Sequence, residues 1–212
     1  MTTTSGTSHS TTRLDELWTE RGPVVMGIVN CTPDSFSDGG RFLDAEHAVR
    51  EADRQVDTGA RIIDVGGEST RPGALPVDAA EEIRRIAPVI TELRRRHPTL
   101  AISADTTKTT VARAALETGT DLVNDVSAAA EPGMLELVAE TRAAIVLMHR
   151  RGTPETMQND TRYDDTVAEV HAFLAARAAA AMRVGIARTG AGRNSSVKMT
   201  GTRSRRSGSI SR

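Results

Sequence analysis

The sequence predicts an α/β fold in which parallel strands alternate with helices, within one domain of a 212-residue chain. Two observations predict it: short apolar runs alternate with segments of helical period, and each apolar run is continuous. Alternating strands and helices indicate a parallel sheet, because each parallel return needs a crossover connection. Continuously apolar strands are expected where both faces of a sheet are covered.

The predicted elements form five consecutive strand-helix units. The strands are predicted over residues 24–30, 61–65, 100–104, 121–126 and 144–148. The helices are predicted over residues 45–58, 78–96, 107–118, 132–141 and 164–186. Gly59 and Gly119 end the first and third helices, Asp78 caps the second, and the fifth has apolar residues at a 3.6-residue period.

Two architectures fit this order, an open doubly wound sheet and a (β/α)8 barrel. A dinucleotide-binding sheet of the first kind needs Gly-x-Gly-x-x-Gly after its first strand, and the sequence has no such motif there. In a barrel, the carboxyl ends of the strands converge on one mouth, where binding and catalytic groups lie.

The composition excludes several classes of protein. Aromatic residues make up 2% of the chain, which argues against single-stranded nucleic-acid binding by base stacking. Cys31 is the one cysteine, so no internal disulfide forms and a reducing compartment fits. The first residues lack the pattern of a secretory signal, and no stretch approaches the ~18 apolar residues of a membrane span. We therefore predict a cytoplasmic protein without a membrane partner.

Both ends of the chain differ from its middle. Residues 1–20 are predicted to be a disordered segment, since the first twelve residues are rich in Ser and Thr. Residues 189–212 are predicted to be a basic low-complexity tail, with six Lys or Arg and no acidic residue. A basic tail of this kind is an alternative site for nucleic acid, but no nucleic-acid-binding fold accompanies it, so nucleic acid is not the partner we predict.

Polar residues follow each predicted strand. They are Asn30, the segment 66–71 (GGESTR), Asp105, the pair Asn124 and Asp125, and His149. By residue type alone, Asn30 is commonly a turn former, Asp105 a helix N-cap and Arg71 a solvated surface residue. The loops after the first two strands are long and rich in Gly and Pro, which favours mobile lids over a ligand.

Five segments in this order resemble consecutive blocks of dihydropteroate synthase: MGIVNCTPDSFSDGG, IIDVGGESTRPG, ISADTTK, LVNDVS and LMHRRGTPETMQ. The resemblance covers roughly residues 24–188. It implies an incomplete (β/α)8 TIM barrel of about five βα units, over residues 21–188. It also implies a transferase of folate biosynthesis that joins 6-hydroxymethyl-7,8-dihydropterin diphosphate to 4-aminobenzoate, with sulfonamides competing for the aminobenzoate site.

The resemblance assigns a role to each matching site residue. Asn30 would reach Mg²⁺ and the diphosphate, and Asp105 and Asn124 would hydrogen-bond the pterin ring. Asp38 would stabilise the developing pterin cation, and Phe36 would form a wall of the aminobenzoate pocket.

The second lid would contact aminobenzoate and pyrophosphate through Ser69, Thr70 and Arg71, where Arg71 suits anion pairing. Asp38 and Arg71 are thus the predicted catalytic residues. Cys31 is interpreted as a small apolar filler and His149 as a mouth residue without an assigned role. For Asp64 and Asp125 two interpretations stay open, a contact to the pterin ring and a hydrogen bond to the backbone.

The chain departs from the family after residue 188. The expected later motifs (Asp-Pro-Gly, Gly-Phe-Gly-Lys, Ser-Arg-Lys and Arg-x-His) do not follow in the sequence. We therefore expect a truncated or frame-shifted product with little synthase activity, lacking the helices through which the family tends to form homodimers. The alternatives are another pterin-binding barrel, of the methyltetrahydrofolate methyltransferase type, and a non-catalytic pterin binder.

Overall fold

The computed structural model of the chain describes residues 14, 16–18, 22–32, 41–69, 76–152, 156, 162–188 and 196–201. The strands are β1 (Met26–Asn30), β2 (Ile62–Gly66), β3 (Ala101–Asp105), β4 (Leu122–Asp125), β5 (Ala144–His149), β6 (Ala187–Arg188) and β7 (Ser196–Gly201). The helices are α1 (Arg41–Asp57), α2 (Ala79–Arg96), α3 (Thr109–Thr118), α4 (Met134–Thr141) and α5 (Thr166–Arg183).

The order of the strands decides between the two predicted architectures. All neighbouring strands are parallel, and β1 to β5 lie side by side in the order of the chain. A doubly wound sheet reverses its strand order at a switch point, whereas a barrel continues in one direction. The described strands and helices therefore form part of a (β/α) barrel, as predicted.

The helices cover one face of this sheet. Ile63, Ile102 and Val65 pack against Ile86 and Val89 of α2 in one buried cluster. A second cluster joins the same face of β4 and β5 to α4 and α5. We call this the helix-covered face, and we call the opposite side the inner face.

At the amino ends of the strands, the inner face is covered by residues near the start of the chain. Leu14 and Leu17, which are 4% and 5% exposed, pack with Ile62, Ala101 and Leu122. Residues 14 and 16–18 are helical, whereas the composition predicted disorder for residues 1–20. Composition does not reveal this contact, because the partners of these two leucines are distant in sequence.

The first strand is more exposed than its sequence predicts. Met26 and Ile28, on the inner face, are 36% and 58% exposed, and Val25 is 55% exposed. By contrast, every residue of β2 is buried. Among the described residues, β1 pairs with β2 alone, so its apolar side chains lack the neighbours that cover those of β2. The expectation that both faces are covered fails for this strand.

A strand within the basic tail is the other difference from the sequence prediction. β7 pairs with β5, from Ile145 opposite Val197 to His149 opposite Gly201. β6 in turn pairs with β7. In β7, the apolar residues Val197 and Met199 alternate with polar residues, which is the period of two expected of a strand. The basic and small residues on both sides of this short segment hide that pattern in the sequence.

None of the described helices is both long enough and apolar enough to cross a bilayer.

Candidate functional site

Polar residues form a row across the carboxyl ends of the first four strands. Asn30 is in register with Gly66, Gly66 with Asp105, and Asp105 with Asn124. Residues in register on adjacent parallel strands share a face, and this row continues the inner face. The structure therefore brings Asn30, Asp105 and Asn124 together, and we call these three residues and Gly66 the polar row.

Gly66 leaves space between two members of the polar row. A methyl group added to Gly66 would lie 3.5 Å from Asp105 Cβ, 3.6 Å from Asp105 Oδ2 and 3.7 Å from Asn30 Oδ1. The side chains of Asn30 and Asp105 thus flank the same position from two sides. A glycine here keeps the floor of the site open to a flat ligand.

Asp64 lies one layer below the polar row on the inner face. Its Oδ2 accepts a hydrogen bond of 2.8 Å from Asn124 Nδ2, across the intervening strand β3. Asp64 is 2% exposed. Burial raises the pKa of Asp64, and the hydrogen bonds from Ser103 and Asn124 oppose this rise. The interpretation of Asp64 as a group that bonds the backbone is wrong, because its hydrogen bond goes to a side chain of the row.

Asp105 occupies the most acidic surroundings in the row. Burial raises the pKa of Asp105 to about 8, and the charges of Asp64, Glu82, Asp125 and Glu68 add to the effect. Its Oδ1 is buried without a hydrogen-bond partner among the described residues. A buried oxygen of this kind is costly unless a ligand satisfies it.

Asp105 does not cap the following helix, which was the alternative interpretation of this residue. The N-cap position of α3 is Lys108, whose side chain makes no capping hydrogen bond. Its backbone N–H is instead 3.2 Å from Thr106 Oγ1. The carboxyl group of Asp105 is therefore not engaged by helix α3.

A buried ion cluster joins α2 to the loops after β2 and β3. Lys108 Nζ donates to Glu82 Oε2 at 2.6 Å and also to Glu68. Glu82 is fully buried. The two acidic partners outweigh burial and raise the pKa of the Lys108 ammonium. We call Glu68, Glu82 and Lys108 the ion cluster.

The backbone at Gly67 packs tightly against the same helix. A methyl group on Gly67 would lie 2.9 Å from Glu82 Cγ and from Ile86 Cγ2. The carbonyl oxygen of Gly67 accepts a hydrogen bond of 2.8 Å from Arg85 Nη1. Close packing and a hydrogen bond therefore both fix the start of the loop after β2 against α2.

Sequence reasoning missed the ion cluster, although one pattern points to it. Glu82 shares the buried face of α2 with Ile86, Val89, Ile90 and Leu93. A charged residue at an otherwise apolar position of a helix requires a partner when that face is buried. The partner is 26 residues away in sequence, so the helix pattern alone does not identify it.

A recess of about 390 Å³, open to solvent, lies beside Asp105. Residues from the segments that follow β2, β3, β4 and β5 contribute to its wall, including Glu68, Ser69, Thr106, Val126 and Arg150. The predicted lid residue Ser69 therefore lies near the polar row. The predicted residues Phe36, Asp38, Thr70 and Arg71 lie outside the described residues.

Asp125 fixes the loop that follows β4. Its Oδ1 accepts hydrogen bonds of 2.6 Å from both the backbone N–H and the hydroxyl of Ser127, and its Oδ2 accepts one of 3.1 Å from Ala129 N. Ala128 and Ala129 both have φ of 57°, a backbone region in which alanine is uncommon. The interpretation of Asp125 as a group that bonds the backbone is confirmed.

The side chains of His149 and Cys31 lie on the helix-covered face and not in the polar row. His149 packs edge-on against Phe173 of α5, with ring centroids 5.0 Å apart, so it faces the helix-covered face instead of the mouth. Burial is the main cause that lowers the pKa of His149. Cys31 is buried in the core under α1 and α2, and burial raises the pKa of its thiol to about 12. This environment suits an apolar filler and not a nucleophile.

The described residues contain no group of three or more His, Cys, Asp or Glu side chains that could hold a metal ion. The polar row nevertheless contains side-chain oxygen atoms that can contact a ligand, including one that carries charged groups of its own. The carboxyl oxygens of Asp105 and the amide oxygens of Asn30 and Asn124 can accept hydrogen bonds from the N–H edge of a nitrogen heterocycle.

Known proteins carry the same segment. The profile of a family described as pterin binding enzyme matches residues 26–190. The chain belongs to this family. A curated dihydropteroate synthase from Synechocystis is 48% identical over 170 residues, which are 80% of this chain and 58% of that protein. The family's members thus include synthases of the kind that the sequence motifs resemble.

Solved structures of the family agree in fold. The dihydropteroate synthase of Xanthomonas albilineans with 4-aminobenzoic acid matches with a TM-score of 0.72 and 47% identity, over 82% of this chain and 63% of that one. The same enzyme in complex with 7,8-dihydropteroate matches with a TM-score of 0.69 and 43% identity, over 82% and 59% of the chains. The present chain spans 58% of the length of the curated Synechocystis relative.

Proposed function

We propose that the polar row binds the pterin of 6-hydroxymethyl-7,8-dihydropterin diphosphate, as part of a dihydropteroate synthase of folate biosynthesis. The observation that carries the proposal is the register of Asn30, Gly66, Asp105 and Asn124 across four adjacent strands. It supplies hydrogen-bonding groups at one edge of an open floor, as a flat heterocycle requires. The relatives with bound 4-aminobenzoic acid and 7,8-dihydropteroate support the same substrate and product.

The proposed reaction needs positioning and electrostatics rather than a covalent nucleophile. A bond forms between the amine nitrogen of 4-aminobenzoate and the exocyclic carbon of the pterin, while the bond from that carbon to the diphosphate oxygen breaks. The amine loses one proton, and pyrophosphate leaves with the electron pair. Asp105 and Asn124 hold the ring so that its exocyclic carbon is presented to the amine, an effect of proximity and orientation.

Asn30 fits a contact to Mg²⁺. Its amide oxygen lies at the exposed end of β1, beside the position that Asp105 Oδ2 also flanks. Magnesium prefers oxygen ligands and commonly keeps several waters while binding substrate phosphates, so a single amide oxygen together with a diphosphate is a sufficient set. When bound, the ion neutralises charge on the leaving pyrophosphate.

The remaining predicted residues complete the proposed site. Asp38 stabilises the developing pterin cation and Phe36 forms a wall for aminobenzoate. Ser69, Thr70 and Arg71 contact aminobenzoate and pyrophosphate from the second lid. We place the binding domain at residues 21–188 and the basic tail at 189–212, in a cytoplasmic protein whose partners are these small-molecule substrates.

The experiment is a titration of the full chain with 6-hydroxymethyl-7,8-dihydropterin, followed by fluorescence or calorimetry. We expect saturable binding that Asp105→Ala weakens at least tenfold. The matched control is Asp121→Asn, which changes a buried aspartate at the amino end of β4, away from the polar row. It should leave pterin affinity unchanged. Absence of saturable binding by a folded chain, or equal losses in both variants, would contradict the proposal.

Adding 4-aminobenzoate with the pterin diphosphate separates the candidate functions. A synthase site binds the two substrates interdependently and releases pyrophosphate if its catalytic groups are complete. A methyltransferase-type pterin barrel binds the pterin without responding to 4-aminobenzoate. A non-catalytic pterin binder responds to pterin and produces no dihydropteroate.

A further inference from the structure

We propose that Asp64 is a positioning residue, which fixes the side-chain amide of Asn124 so that its oxygen faces away from the core and toward the bound ring. This inference rests on the proposed pterin site and names a residue that acts through Asn124. Asn124 Nδ2 donates to Asp64 Oδ2 at 2.8 Å. Asp64 itself is buried one layer below the row, so it supports the amide from beneath.

The contact depends on a small residue between the two side chains. Asp64 is in register with Ser103 of β3, and Asn124 belongs to β4. The hydrogen bond therefore spans an entire strand, over the side chain of Ser103, which is fully buried. A larger side chain at that position would separate Asp64 from Asn124.

The chemistry of the pair fixes which way the amide turns. Asp64 Oδ2 is the acceptor of this bond and Asn124 Nδ2 is the donor, so the amide nitrogen faces Asp64. Its oxygen is then at the other end of the same planar amide group. Among the described residues no hydrogen bond is made to Asn124 Oδ1. Asn124 Oδ1 is therefore available as a hydrogen-bond acceptor for an N–H group of a bound ring.

The neighbours of Asp64 indicate that a carboxylate is not needed for packing. Its layer of the inner face also contains Ile28, Ser103 and Leu122, of which Ile28 and Leu122 are apolar. Burying a carboxylate is costly, and an apolar residue of similar volume commonly gives equal or greater stability. The hydrogen bonds from Ser103 and Asn124 account for the polar group at this position.

The first test observes the amide without any ligand. In a chain labelled with ¹⁵N-asparagine, the side-chain protons of Asn124 are identified by their loss in Asn124→Asp. We expect two well-separated proton resonances, one of them protected from exchange with solvent. Asp64→Ala should remove the protection, whereas Asp121→Asn should preserve it. Where Asp64→Ala fails to fold, Asp64→Asn keeps the volume, and two amide orientations should then exchange. An unchanged, protected amide in a folded Asp64 variant would overturn the inference.

The second test asks whether Asp64 acts through Asn124. Asp64→Asn should weaken pterin binding about tenfold when Asn124 is present, on the scale of one buried hydrogen bond. In an Asn124→Ala background it should have almost no further effect, because the group that it positions is gone. Equal losses in the two backgrounds would indicate a general structural role and refute the positioning role. If the unsubstituted chain binds no pterin, the proposed function is refuted. The amide resonances of the first test still decide separately whether Asp64 positions Asn124.

Discussion

Lys108 Nζ lies 2.6 Å from the fully buried carboxylate of Glu82, so one cation holds α2 against the loop after β3. The same ammonium binds Glu68 in the loop after β2. The Lys108 side chain therefore connects the loops after β2 and β3 to each other and to α2. Buried ion pairs contribute little net stability over an apolar pair, but breaking one is strongly destabilising, because an uncompensated charge stays buried.

Lys108→Met should lower the free energy of unfolding by about 3 kcal/mol, because Glu82 would be left without its cation. Adding Glu82→Leu to Lys108→Met should recover part of the loss. The measurement is unfolding in urea at constant pH. The control is Arg50→Ala, which removes an exposed ion pair with Glu46 and should cost less than about 1 kcal/mol. Equal effects of Lys108→Met and Arg50→Ala would contradict the structural role of the ion cluster.

Gly66 and Gly67 are adjacent but should respond differently to alanine. At Gly66 the nearest atoms to a new methyl group are 3.5 Å away or more, an ordinary contact. Gly66→Ala should therefore leave stability almost unchanged, yet it should reduce pterin affinity at least tenfold by filling the floor between Asn30 and Asp105. Calorimetric binding and thermal melting of the same sample check both expectations.

Gly67→Ala should lower stability, since its methyl group would lie 2.9 Å from Glu82 Cγ and 3.0 Å from the Glu82 carbonyl oxygen. Overpacking of this kind typically costs about 1–3 kcal/mol. Gly66→Ala is the matched control for the melting experiment. A stable Gly67→Ala protein would mean that α2 does not approach the loop as closely as described.

The free energy of unfolding should depend on pH because Asp105 titrates at different pH values in the folded and unfolded chain. An aspartate with a pKa of 3.8 in the unfolded chain has a pKa of about 8 in the folded one. Between these values the folded state keeps a proton that the unfolded state has lost, so the free energy of unfolding falls as pH rises. Below the lower value both states are protonated, and above the upper value both are ionised, so the contribution becomes constant.

Asp105→Asn should flatten this dependence and raise stability at pH 7 by at least about 1 kcal/mol, since one pKa unit corresponds to about 1.4 kcal/mol. Urea unfolding at pH 5, 6, 7 and 8 measures the slope for both proteins. Burial also raises the pKa of Asp64 and of Asp125, so a residual slope of the same sign is expected. Parallel slopes for the two proteins would refute the assignment to Asp105.

Arg94 should be the main anchor of the amino ends of the strands. Its guanidinium donates to the carbonyl oxygens of Leu100 at 2.7 Å and Gly119 at 2.9 Å, and to Asp121 Oδ2 at 2.6 Å. Arg94→Ala removes these bonds and leaves the buried carboxylate of Asp121 without its cation, so it should destabilise the chain by about 3 kcal/mol. Arg94→Lys should recover only part of this, because an ammonium cannot reproduce the fork of donors. Full recovery by lysine in thermal melting would show that charge alone is sufficient.

Much of the fold could be predicted from the sequence, because local patterns specify it. The apolar runs and helical periods place all five predicted units, and Asp78 does cap α2, accepting from Glu81 N at 2.8 Å. The predicted start of α1 at residue 45 was late, since the helix begins at Arg41. A polar, glycine-rich sequence before a helix gives little indication of where its first turn forms.

The sequence by itself determined that polar residues stand at the strand ends and that their motifs resemble one enzyme family. Only the tertiary structure decided that Asp64 holds Asn124 across β3, that Lys108 neutralises Glu82, and that His149 turns toward α5. It also decided that Leu14 and Leu17 close the amino end of the sheet, and that β1 remains exposed. Periodicity fixes which residues share a face within one element, whereas contacts between elements depend on strand register and helix approach, which join residues far apart in sequence.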